Sequence, residues 1–242
     1  MKKELILKIA VLVSVLAMFV VNILANALPI NGLTTAEISN SLAIYFVPAG
    51  YVFSIWGVIY LGIIIYLISM FTKFTKDDMA IAPYVIASSL ANTAWIFMWH
   101  YQLINYSVIL MLVILASLII IALKLNKPEV SLVKKTPFNI YLGWISVASI
   151  ANIAGALYVA NWSGWGIAPE VWSAIMIVIA TGLAIFALIK KNLAYTLVIL
   201  WALIGIIIKF QGVSNIVTVT GIFTVVAIIL FMGYKLFRKS NI

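Results

Sequence analysis

Asn105 to Leu125 reads NYSVILMLVILASLIIIALKL, an unbroken apolar run in which Lys124 is the single charge. A helix needs about 20 apolar residues to cross the hydrocarbon core of a bilayer. Backbone groups in lipid must find partners within their own segment, so such a run reads as a membrane-spanning helix. Seven further runs read the same way, which places spans at 5–28, 50–71, 81–101, 105–125, 137–159, 169–189, 193–210 and 215–237. Barrel strands would alternate apolar and polar residues, and none of these runs does. The expected fold is an all-α polytopic membrane protein with about eight spans.

Composition agrees. The chain has 242 residues, 66% hydrophobic and 9% charged, with no cysteine, and a mean hydropathy of +1.22. Soluble domains are roughly 45–50% apolar and about 25% charged. A soluble enzyme, a disordered chain and a disulfide scaffold are all excluded.

The net charge of +9 is read as an orientation signal, and nucleic acid is not an expected partner. If eight spans alternate, fourteen of the fifteen cations fall on one side: Lys2, Lys3, Lys8, Lys73, Lys76, Lys124, Lys127, Lys134, Lys135, Lys190, Lys191, Lys235, Arg238 and Lys239. Lys209 falls on the other. The first side also takes Glu4, Asp77, Asp78 and Glu129, giving +10; Glu37 and Glu170 leave the second at −1. By the positive-inside rule both termini face the cytoplasm, at the cell membrane. A basic inner face also favours anionic lipid headgroups. Ala25-Asn26-Ala27 fits a signal-cleavage pattern, but the preceding apolar run exceeds the 7–15 residues of a signal core, so it reads as an uncleaved first helix.

Chemistry is limited by inventory. Without Cys there is no thiol nucleophile or thiolate metal site. His100, the single histidine, reads as an interfacial residue beside Trp99 and Tyr101. No carboxylate lies in the interior of the spans, Glu170 standing at the very start of 169–189, which argues against a pump built on buried acids. Lys209 reads as a cation snorkelling to the outer interface. No cofactor or metal is expected, and no acid–base constellation supports ordinary catalysis.

What remains is aromatic rings and amides. Ser88, Asn92, Trp95 and Trp99 share one helical face; Tyr141, Trp144, Ala148, Asn152 and Gly155 share another; Phe53, Trp56 and Tyr60 share a third. An amide in lipid needs a partner, so Asn92 and Asn152 should face the bundle interior. Two readings stay open: packing seams with polar glue, or a pocket walled by rings for a flat apolar ligand. The outer connector 29–49 turns from polar to apolar at Ile44-Tyr45-Phe46-Val47 and reads either as a lid or as a plain interfacial link.

Three segments then resemble the TspO/MBR family, the tryptophan-rich sensory proteins that include the translocator proteins. Pro48-Ala49-Gly50-Tyr51-Val52-Phe53, followed by Trp56 and Tyr60, resembles the Pro-Pro-Gly-Trp-Val-Phe opening of that family's second helix, with Tyr51 in place of Trp. Asn92-Thr93-Ala94-Trp95 is similar to the Asn-x-x-Trp segment of its third helix. Tyr141-Leu142-Gly143-Trp144 with Ala148 and Asn152 resembles the pattern of its fifth. The resemblance covers residues 1–160 and implies a five-helix TspO-like bundle there, with a three-helix extension over 161–242. It implies a receptor, sensor or carrier that binds a hydrophobic flat ligand such as a porphyrin, held by Tyr51, Phe53, Trp56, Asn92, Trp95, Trp144, Ala148 and Asn152. The alternatives are light-dependent porphyrin breakdown, or a transport or structural module defined by the last three spans. Expected partners are the bilayer and the porphyrin-like molecule, with a homodimer left open.

Overall fold

A computed structural model describes residues 2–28 and 30–240, the side chains of 236–240 excepted. Pro29 of the outer connector and the Arg238 and Lys239 side chains of the basic face lie outside the described residues. Nine α-helices occur among them: α1 (Lys2–Ala27), α2 (Thr35–Ser41), α3 (Ile55–Thr72), α4 (Lys76–His100), α5 (Ile104–Leu125), α6 (Leu132–Val159), α7 (Pro169–Ile189), α8 (Leu193–Phe210) and α9 (Asn215–Ser240). All but α2 are long and apolar enough to span a membrane, and no strand occurs among the described residues. This is an integral, all-α polytopic membrane protein. Long aliphatic side chains such as Leu61, Ile109 and Leu123 stay exposed on its outside, where lipid replaces water.

Two helices begin five residues earlier than the apolar runs suggest, α4 at Lys76 and α6 at Leu132. At α4 the cause is a capping box. The Thr75 hydroxyl accepts from the Asp78 N–H, while the Asp78 carboxylate accepts from the Thr75 N–H at 2.7 Å. Lys76, Asp77 and Asp78 therefore form a first helical turn. This corrects the expectation of spans without carboxylates: Asp78 lies inside α4, fully buried. Its charge is compensated by an ion pair with Lys134 of α6, which also donates to Thr75 Oγ1 at 2.9 Å. A buried carboxylate is tolerated only with such partners.

The helices α1, α3, α6, α5 and α4 pack side to side in that order and close into a ring, α4 returning to α1. Helices α7, α8 and α9 pack on one another, and α8 lies along α6. Gly143 permits that approach: a Cβ there would stand 2.9 Å from Val198 Cβ and 3.1 Å from the Tyr195 carbonyl. Helices α6 and α7, by contrast, scarcely touch although they are consecutive.

Candidate functional site

The connector between α1 and α3 folds back over the ring. Helix α2 is set by its own capping box, Thr34 with Glu37, whose hydrogen bonds from the Thr34 backbone and then its hydroxyl hold the Glu37 carboxyl below its ordinary range. Below it, Trp99 Nε1 donates to the Thr35 carbonyl at 3.2 Å. His100, the last residue of α4, is fully buried against the connector. Its Nδ1–H donates to the Ile30 carbonyl at 3.1 Å, and Nε2 pairs with the Thr35 hydroxyl at 3.0 Å. The lone histidine is thus the tie that pins the connector to α4.

Beneath this roof the aromatic stripes converge on one cavity of about 40 Å³. Phe53, Trp95, Trp99, Trp144, Ala148 and Asn152 form its walls; Thr35, Ser39 and Pro48 form its roof. The rings meet edge to face: Phe53 and Trp144 at 5.5 Å and 78°, Trp56 and Trp144 at 6.4 Å and 81°, the arrangement ring quadrupoles prefer. Trp95 and Trp99 stack at 5.3 Å.

The amides are buried and paired. Asn152 Oδ1 accepts from Trp95 Nε1 at 2.9 Å, and its Nδ2 donates to the Ser107 hydroxyl at 2.8 Å. Asn92 Oδ1 accepts from Asn22 Nδ2 at 2.7 Å, and its own Nδ2 donates to the Tyr141 hydroxyl at 3.0 Å. Of the residues expected at the site, Phe53, Trp95, Trp144, Ala148 and Asn152 line the cavity. Trp56 backs onto it through Trp144. Asn92 stays in the interior, tying α4 to α1 and α6. Tyr51 is not brought there: it is 44% exposed and packs edge-on to Trp201 of α8. Asn22, Ser107, Trp99 and Thr35 were not expected. Asn22 had a readable signal, an amide within an apolar helix, which must find a partner in lipid.

Helix α8 holds the roof from the other side. The Ala49 N–H donates to the Gly205 carbonyl at 3.1 Å, Trp201 Nε1 donates to the Val52 carbonyl at 3.1 Å, and Lys209 Nζ donates to Asn40 Oδ1 at 2.6 Å. A Cβ on Gly205 would meet Val52 Cγ2 at 2.2 Å, so only glycine allows this contact. Lys209 thus sits in the last turn of its helix, bound to the connector. Nearby, the Glu170 carboxylate beside Tyr45 raises that phenol.

These groups stack, orient and exclude water; among the described residues no cluster of His, Cys, Asp or Glu is placed to hold a metal. Fold and site together define a polytopic helical membrane protein with an aromatic-walled interior. The chain belongs to the TSPO-like family, whose model, described as TSPO-like protein, matches residues 8–234. The match runs through α7, α8 and α9, so the family relationship is not confined to residues 1–160. Comparison with curated proteins found no match, and neither did comparison with solved structures.

Proposed function

We propose that this TspO-type membrane protein binds a flat, hydrophobic molecule such as a porphyrin, as a receptor, sensor or carrier. The supporting observation is that Phe53, Trp95, Trp144 and Ala148 meet around one space under the outer connector. Indole faces stack on a planar ligand, and the nearby amides give it orientation. We read residues 1–160 as the ligand-binding bundle and 161–242 as an extension that steadies its roof. The basic connectors support a reading in which both termini lie on the cytoplasmic side of the cell membrane and the roof lies outside.

The size of the space adds a condition. Sites for drug-sized ligands run from about 300 to 1,000 Å³, and this one is about 40 Å³. Entry therefore requires the roof to lift, breaking the ties of Thr35 to Trp99 and His100. Binding should be slow and coupled to roof opening. A porphyrin titration into the purified protein, followed by tryptophan quenching, tests the reading. Saturable quenching that weakens in Trp95→Phe and Trp144→Phe, and less in Trp56→Phe, is expected. Saturable quenching unchanged in all three overturns the site.

A further inference from the structure

A second cavity, of about 310 Å³, opens at the outer end of the protein where α6 and α7 part. It lies outside the ring, between the last turns of α6, the first turns of α7 and the connector segment 43–46. The α6–α7 link holds the two helix ends apart. It carries Asn161, Gly164, Trp165 and Gly166 with positive φ, and Trp172 Nε1 donates to the Gly164 carbonyl at 2.9 Å. Trp162 packs on Trp172 at 5.4 Å and frames the mouth.

The walls are apolar, chiefly Ile150, Ala154, Leu157 and Met176, and no charged side chain lines them. A charged ligand would lose its hydration with no counter-charge in return. One polar group stands out. Ser173 is 6% exposed and lines the cavity. Ser107 and Ser149 donate to carbonyls of their own helices, whereas the Ser173 hydroxyl makes no hydrogen bond among the described residues, and its oxygen is not enclosed by protein. A hydroxyl without a partner at membrane depth leaves a hydrogen bond for an occupant of the cavity to supply.

We infer that this cavity is a binding site for a small, uncharged amphiphile: an apolar body of a few carbons with one hydrogen-bonding group that pairs with Ser173. At about 310 Å³ it lies at the low end of ligand-site volumes, which suits such a molecule and not a tetrapyrrole. The site is separate from the indole cavity beneath the roof, and the inference does not depend on porphyrin binding.

The test is photolabelling of the full chain in phosphatidylcholine vesicles with a diazirine-bearing octanol, competed by unlabelled 1-octanol. Saturable, competed labelling within 150–158 and 172–176 is expected. Ser173→Ala should weaken it about two- to tenfold, the worth of one neutral hydrogen bond. Ala154→Phe, which fills the cavity, should abolish it. Cooperative thermal unfolding of Ser173→Ala and Ala154→Phe in detergent reports that each has folded. Labelling spread along all the helices, or undiminished in both Ser173→Ala and Ala154→Phe, overturns the inference. Labelling at these peptides that 1-octanol does not compete also overturns it, since bilayer lipid then fills the space.

Discussion

The indole cavity under the roof and the cavity between α6 and α7 are built from similar residues, yet they stand in opposite states. In the first, both amides and the Trp95 indole are paired, the rings interlock, and about 40 Å³ remains. In the second, about 310 Å³ stays open and the Ser173 hydroxyl on its wall has no hydrogen-bond partner among the described residues. Neighbouring helices make the difference. The first site is surrounded by a closed ring, whereas the second lies where consecutive helices diverge. Satisfied polar groups and close packing arise together; an unsatisfied group beside open volume marks the place where something else fits.

The largest expected effect is on the first region. Trp144 is 3% exposed and wedged between Phe53 and Trp56. Trp144→Ala should cost about 3–5 kcal/mol, the range for large aromatic truncations in a packed interior, read as thermal unfolding in detergent. A loss below about 1 kcal/mol would mean that the first region is as loosely filled as the second. A paired comparison comes next. Asn92→Ala removes a partner from both Asn22 and Tyr141, leaving each only its bond to Met18, and should cost about 1–2 kcal/mol. Ser173→Ala strands nothing and should stay within about 0.5 kcal/mol. Equal losses would erase the contrast drawn between the two sites.

The smallest effect concerns the roof in acid. Glu37 titrates below its ordinary value because Thr34 donates to its carboxylate. Its contribution to α2 is therefore full above the ordinary carboxylate range and is lost as pH falls through that range to its own lower value. Amide exchange at residues 34–38 should quicken, relative to its intrinsic rate, between pH 6 and pH 3 while that of the α4 interior does not. Equal changes in both would show that the roof is no looser than the bundle.

Much of this was legible in the sequence, because the bilayer leaves few options. Apolar run length alone located eight spans, and helical spacing alone turned Asn92 and Asn152 inward. Residue type did not reveal where chains cross between elements. Tyr51 has the expected aromatic character but turns to α8, since Gly205 and Trp201 capture the turn that carries it. The role of His100 as a tie was hidden because its partners, Ile30 and Thr35, lie about 65–70 residues away. Asp78 looked like a connector residue because its partner Lys134 belongs to another helix. Gly205 and Gly221 stand at tight approaches while Gly182 and Gly212 face open space. Spacing within one helix could not separate these cases.

The bonds from Gly205, Trp201 and Lys209 to the connector have a consequence in the language of linkage. A molecule that enters by lifting the roof must also loosen α8, so occupancy of the interior and the position of α8 are tied by one coupling free energy. The coupling is reciprocal. Whatever draws α8 away from the connector raises affinity inside the ring, and whatever fills the ring loosens α8.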